Sequence, residues 1–581
     1  MVETTIPSNE TKDLEKSADV DEYNPGSEKE PTLDAETGDA NANDGKNGYF
    51  GSAENSTKRV MKPRHLAFIA IGGTIGTGIF LSAGSSVATG GAGGALIAYA
   101  IVALFVFGVV FLLGEMSSLI PVSGAFSVFG ERFVSDALGF TLGWNYAIQW
   151  AFSIPAELIS AATILSFWTD KLNTWQWSLV IIVPVFLFQL LGARAYGEAE
   201  YWLAAIKVVL LLMFIIVGLI YNWGGVIGHP GPGLSYWRDG PFYDGFKGVA
   251  LCFSYAFFSY GGVEMVALAA GESANPQKSV PAAIKATFFR ILIFYILSVF
   301  VIGLNVHRTD PTLVSAYSDN NIAASPITVV FVRAGFGAAV HVVNAVLLSA
   351  VLSATNSSFF ATSRMVLSLA QEKKAPKIFA YCTKRGVPIP ALLLSLAASC
   401  ATFLTSIWGN GIAFTWFINL TGMSALLTWV AIALTNVRFR MCWRAQGRDW
   451  SDMPFRAPLP TVLAIIAIVL GGCMFAAQGW AATTYGSDTL ATDIVAVYIG
   501  CALFILMYAG YTIYELIWVR DENGNRKRHF VPLKQADLVT GAVWGPGGGA
   551  IAKQRALEEK EAAKATGNGR FTWSRIRENL Y

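Results

Sequence analysis

The sequence predicts an all-α membrane protein of about twelve transmembrane helices, each a run of roughly 20 apolar residues. Of its 581 residues, 54% are hydrophobic and 14% are charged, where a soluble domain carries nearer ~25% charged residues. From His65 onward the apolar runs recur, and Lys and Arg gather in alternate connections between them.

The runs fall at roughly 65–86, 93–118, 139–168, 177–194, 201–221, 246–271, 284–305, 324–352, 389–408, 411–435, 459–480 and 491–518. An amphipathic stretch at 355–372 is not counted as a span. Residues 1–60 are rich in Asp, Glu, Asn, Gly, Ser and Thr. Such a segment cannot bury enough apolar surface to offset its ordering entropy, so it reads as a disordered tail. The first apolar run is too long and too Gly-rich for a cleavable signal peptide. The expected organisation is a tail over 1–60, a membrane domain over 61–519, and a polar tail over 520–581 with a short charged helix near 550–564.

Basic clusters set the orientation. Lys58, Arg59, Lys62 and Arg64 precede the first span, while Lys373, Lys374, Lys377, Lys384 and Arg385 follow the eighth. Arg438, Arg440, Arg444, Arg448 and Arg456 follow the tenth, and the odd-numbered connections hold few such residues. This bias places both termini in the cytoplasm.

Several function classes are excluded at this level. The net charge is only +2, and few Lys or Arg are left to form a nucleic-acid face. Cys252, Cys382, Cys400, Cys442, Cys473 and Cys501 show neither CxxC nor Cys/His spacing, so neither a zinc site nor a disulfide framework is expected. No nucleophile–base set, metal cluster or phosphate loop stands out, so neither an enzyme nor a nucleotide-driven pump is expected, and no cofactor.

Two spans are interrupted. The first carries Gly72, Gly73, Gly76 and Gly78 within Ile69–Phe80, and each Gly costs about 1 kcal/mol against Ala in a helix. The sixth carries Gly261 and Gly262 at mid-depth, with Glu264 just beyond. Glycines can also serve only close helix packing. Paired interruptions five spans apart, however, point to a transporter built from two inverted five-helix halves. Unwound backbone is tolerated at membrane depth where it lines a cavity. A half-helix starting after the first break offers free N–H groups to a carboxylate, and freed carbonyls suit an ammonium. A ligand with both groups on neighbouring atoms is an α-amino acid.

The first span resembles the opening helix of the amino acid–polyamine–organocation superfamily, and longer stretches resemble its fungal amino acid permeases. These are Gly114-Glu115-Met116 with Pro121-Val122-Ser123-Gly124, Gly143-Trp144-Asn145-Tyr146 with Pro155-Ala156-Glu157, and Gly197-Glu198-Ala199-Glu200. Ala270-Gly271-Glu272-Ser273 with Pro276, Lys278-Ser279-Val280-Pro281, and Leu352-Ser353-Ala354-Thr355-Asn356-Ser357 extend the match across about residues 58–535. Asn145-Tyr146 with Gln149-Trp150 is nearest to the broad-specificity branch.

The resemblance implies ten helices in two inverted repeats with helices 1 and 6 broken, two peripheral helices, and import of amino acids with protons across the plasma membrane. The implied substrate site is Gly73, Thr74, Ile75, Gly76, Thr77 and Gly78 with Phe258, Ser259 and Gly261. Thr77 and Gly78 would donate to the substrate carboxylate. Thr74, Phe258 and Gly261 would offer carbonyls to its ammonium, with the Phe258 ring as a gate. Gln149 and Thr421 are candidates for reading the substrate side chain. Lys12, Lys16, Lys29 and Lys46 lie in a tail open to ubiquitin ligases, which in this family drive endocytosis.

Three intramembrane charges remain. Lys207 sits mid-span and must be paired or neutral; snorkelling to the interface is the alternative. Its expected partners are carbonyls of the first break and hydroxyls of the eighth span such as Ser353. The resemblance to proton-coupled transporters, in which a matching Lys takes the place of a sodium ion, makes it the first candidate for proton coupling or structural charge replacement. Glu264 after the second break is the rival carrier, or an acceptor for unwound backbone. Glu157 faces the pocket or pairs with a hydroxyl. Uncoupled exchange and amino acid sensing use the same kind of pocket and stay open here.

Overall fold

The computed structural model describes residues 75–554, apart from 123, 170, 227, 229, 272, 274–275, 312–324, 338–339, 484–489, 521–527, 544, 550 and 552–553. The expected N-terminal tail with its lysines, Gly73, Thr74 and nearly all of the helix expected near 550–564 lie outside these residues.

The first span enters through a π-helical turn, Gly78–Ser82, and continues into α1, Ala83–Leu119. Two expected spans share this element. They meet at Gly91, whose φ of 75° and ψ of 172° break the helix. A Cβ there would lie 2.5 Å from the Pro241 carbonyl oxygen, and that oxygen accepts from the Gly93 N–H at 2.8 Å. Glycine therefore lets the loop before the sixth span press directly onto the reversal.

A short helix α2, Ala125–Phe133, leads to α3, Asp136–Ser166, which is capped by the Ser135 hydroxyl accepting from the Leu138 N–H. α4 is Thr174–Gln189 and α5 is Ala193–Asn222. After the small α6, Ser235–Arg238, the sixth span is split into α7, Gly245–Tyr260, and α8, Met265–Ala270. The seventh span is α9, Pro276–Arg290, a π-helical segment Ile291–Ile296, and α10, Leu297–Asn305.

The eighth span departs from expectation. Pro326 starts a separate short helix, α11, Pro326–Arg333, and the span itself is α12, Val340–Gln371. The stretch 355–372 is thus mostly the second half of one 32-residue helix. Its polar residues do not face water. Thr355 and Ser358 bond back to the Val351 and Ala354 carbonyls at 2.9 and 3.0 Å, and Asn356 and Ser357 meet side chains of neighbouring helices. A buried polar stripe carries the same periodicity as an interfacial one.

The ninth span is α13, Ile389–Ser399, a 3-10 turn Cys400–Leu404 and α14, Thr405–Trp408. α15, Asn410–Ala445, runs well past the expected end of the tenth span and carries Arg440 to the Glu115 carboxylate at 2.6 Å. α16, Pro460–Ala482, and α17, Leu490–Trp518, complete the chain of spans. They are peripheral: 28% and 11% of their most apolar stretches are buried, against 78% for α3 and α15.

Inside the bundle, α3 packs along α12 and α15. Asn145 of α3 donates to the Ser424 carbonyl and the Thr428 hydroxyl of α15, both at 2.9 Å. At the end where the basic residues gather, the segment 528–543 lies across helix ends. Val531 N–H donates to Val134 O at 2.9 Å, and Val543 N–H to Leu119 O at 2.8 Å. Arg438 donates to Phe133 O and Val531 O at 3.2 and 2.7 Å.

Candidate functional site

The start of the first described helix faces the interruption of the sixth span. Ile75 and Gly76 are non-helical, and the first helical bond runs from Phe80 N–H to Gly76 O at 3.3 Å. The N–H groups at this start have no partner within their own helix. α7 ends at Tyr260, and Gly261–Glu264 form a turn in which Gly262 has a φ of 88°. The half-helices touch closely: a Cβ on Gly78 would lie 3.0 Å from Ser259 Oγ. Ser259 is spent on this packing, with its hydroxyl bonded to Tyr99 Oη at 2.7 Å and to Tyr255 O at 2.8 Å.

Between the breaks lies a small cavity of about 30 Å3. Of the sequence candidates, Gly76, Gly78, Gln149, Glu157, Phe258, Gly261 and Thr421 line it. Ile75, Thr77, Ser259, Lys207 and Glu264 do not. Trp150, Ser153, Phe257, Ala354 and Ala425 join the wall without having been named as site candidates from the sequence. Gln149, Ser153 and Glu157 recur every fourth residue of α3, so helical spacing was the signal for Ser153.

The polar groups differ in what they leave available. Thr77 donates its hydroxyl to the Glu157 carboxylate and reaches it through the backbone as well. The start of the first half-helix is thus already met by the Glu157 carboxyl of α3. Gln149 Oε1 has no hydrogen-bond partner among the described residues. The Thr421 hydroxyl bonds to Phe417 O and Ile418 O at 2.8 and 3.1 Å, back along its own helix. Phe258 meets Phe414 edge-on, with ring centroids 6.5 Å apart, inside an apolar cluster that includes Phe417 and Ile159.

Behind the wall, Lys207 is fully buried, so it does not snorkel. Its Nζ donates to Ser353 Oγ at 2.8 Å, the contact expected, and to Glu200 Oε1 at 3.2 Å. Glu200 was not foreseen as its partner. Glu264 accepts from Trp429 Nε1 at 3.0 Å beside the second break. Glu115 is held by Arg440 and by Asn436 at 3.1 Å, in a structural role.

A multi-span helical chain with a helix start set against an interrupted span around a small cavity has the organisation of a membrane transporter. The chain belongs to the amino acid permease family, whose pattern matches residues 65–523. The lysine-specific permease LysP of Escherichia coli is 39% identical over 459 residues, spanning 78% of this chain and 93% of that protein. LysP of Lactococcus lactis is 38% identical over 514 residues, 85% of this chain and 95% of its own. The general amino-acid permease GAP2 of Candida albicans is 36% identical over 493 residues, 84% of this chain and 82% of its own. Amino acid transport across a membrane is the activity the family defines.

Proposed function

We propose that the chain imports α-amino acids across the plasma membrane by proton symport with alternating access, both termini facing the cytoplasm. The observation that carries this reading is the cavity shared by the two breaks, with Gly76, Gly78 and Gly261 in its wall. Backbone N–H groups at the first helix start, of which that of Thr77 already meets Glu157, suit a carboxylate, and carbonyls freed at both breaks suit an ammonium. Phe258 lies over the bound molecule and, with Phe414, shuts the outer side.

Substrate choice follows from the side-chain end of the cavity. Glu157 is its one acidic wall residue among the described residues. Neutral amino acids are accepted broadly, and cationic ones depend on Glu157. Protons act through Lys207, with Glu264 as the rival carrier. Each charge state favours one face of the transporter, so a proton gradient shifts the population between them. The N-terminal lysines serve ubiquitin-driven removal from the surface.

The test is uptake of a labelled amino acid panel into proteoliposomes, with and without an inward proton gradient. Concentrative uptake of neutral and cationic amino acids should appear only with the gradient. Equal uptake in both conditions would exclude proton symport and leave exchange.

A further inference from the structure

Glu200 and Lys207 lie seven positions apart on α5, about two helical turns, so their side chains leave the same face. Both are fully buried. Lys207 Nζ meets Glu200 Oε1 at 3.2 Å, and the Ser353 hydroxyl of α12 joins the pair, accepting from Nζ at 2.8 Å and donating to Glu200 Oε2 at 2.5 Å. The next residue, Ala354, lines the cavity and stands 2.7 Å from where a Gly76 Cβ would be. This triad is therefore one residue behind the wall of the site.

The helices do not need the Glu200–Ser353 bond to stay together. One turn earlier, Tyr196 Oη bonds to Ser357 Oγ at 3.0 Å, and its ring stacks on Phe360 at 4.2 Å. A buried carboxylate is costly where packing alone would serve, and it is tolerated when it answers a charge. Among the groups acting on Lys207 are Glu200 from its own helix, Ser353 from α12 and Glu157 from α3. Of these, Glu200 is the carboxylate in direct contact.

We propose that Glu200 is the positioning residue of the coupling site: with Ser353 it keeps Lys207 charged and aims its ammonium at the cavity wall. This rests on the transport reading above and deepens it. As a pair, Glu200 and Lys207 are neutral, so the site can hold a cation inside the bundle without a net charge.

The experiment compares the pH profile of lysine counterflow exchange for wild type, Glu200→Gln, Glu200→Asp and Ser353→Ala in proteoliposomes. An ammonium without its counter-ion gives up its proton more readily. Half-maximal exchange in Glu200→Gln should therefore move to lower pH by about one unit, a tenfold change in proton concentration. Ser353→Ala should move it less in the same direction, and Glu200→Asp should recover most of the wild-type profile. In a Lys207→Met background, Glu200→Gln should add no shift. A wild-type profile in Glu200→Gln, or a shift that persists without Lys207, would overturn the proposal. If Glu200→Gln fails to fold, Ser353→Ala decides, and an unchanged profile there overturns it. Counterflow needs no proton gradient, so a wild type that cannot concentrate substrate would reject symport while the exchange profile still judges Glu200.

Discussion

The Thr77 hydroxyl donates to the Glu157 carboxylate, tying the first break to α3 at the edge of the cavity. One contact thus joins the start of a half-helix to the acidic residue that distinguishes the wall. In the proposed site, a substrate with a side-chain cation would give Glu157 a new partner.

Glu157→Gln should accordingly separate substrates. We expect lysine uptake to fall at least about tenfold, the loss of one charge-assisted bond of ~1.4 kcal/mol or more, with leucine uptake reduced less. Initial rates for the two labelled amino acids measure it. An equal loss for both would show that Glu157 serves the helix start rather than selection.

Lys207→Met should lose accumulation against a gradient while keeping some exchange. Glu264→Gln should keep both, since Trp429 holds Glu264 at 3.0 Å beside the break. The comparison is proton-driven accumulation beside counterflow. Accumulation in Lys207→Met together with its loss in Glu264→Gln would move the proton site to the sixth span.

Stability should depend on an ion cluster outside the spans. Lys374, with 4% of its side chain exposed, bonds to Glu131 at 2.5 Å and Glu372 at 3.2 Å, joining α2 to the end of α12. Lys374→Met strands two carboxylates and should cost about 3–5 kcal/mol. Burial pushes Glu372 above the usual carboxylate range, with Lys374 opposing. A raised folded-state value means that Glu372 favours the fold at low pH and loses that contribution as pH rises through it. Near neutrality, Glu372→Gln should therefore cost less than Glu131→Gln, read as apparent melting temperatures in detergent. The reverse order would contradict the assignment.

The strap over 528–543 offers a further check. Arg438→Ala removes bonds to Phe133 O and Val531 O. Cleavage near residue 528 by a protease should become faster, while the membrane core stays intact. Unchanged cleavage would mean that the Val531–Val134 and Val543–Leu119 bonds suffice.

Much of the architecture was legible in the sequence because bilayer length and helical period act locally. The two breaks were legible for the same reason: glycines at Gly76, Gly78 and Gly261 contradict a plain helix. The eighth span was misjudged because Asn356 and Ser357 look alike whether they face water or another helix. Glu200 was seen only as part of the Gly197–Glu200 motif. Its partner is two turns away on the same helix, and the spacing to Lys207 was the available signal. Trp150 and Ala425 carry no chemistry that marks a wall residue. The strap is held largely by main-chain carbonyls, which every residue offers, so no side-chain pattern announces it.

The central claim is that the cavity between the breaks is the amino acid site, and binding to glycine variants tests it most directly. A Cβ on Gly76 would stand 2.7 Å from Ala354 Cβ, and one on Gly261 would stand 3.1 Å from Phe258 O. Equilibrium binding of labelled lysine and leucine should be measured on purified wild type, Gly76→Val and Gly261→Val, each shown to be monodisperse and helical. We predict saturable binding by wild type and none by Gly76→Val, with Gly261→Val at least about tenfold weaker, a loss of ~1.4 kcal/mol. Wild-type affinity in folded Gly76→Val would place the amino acid elsewhere.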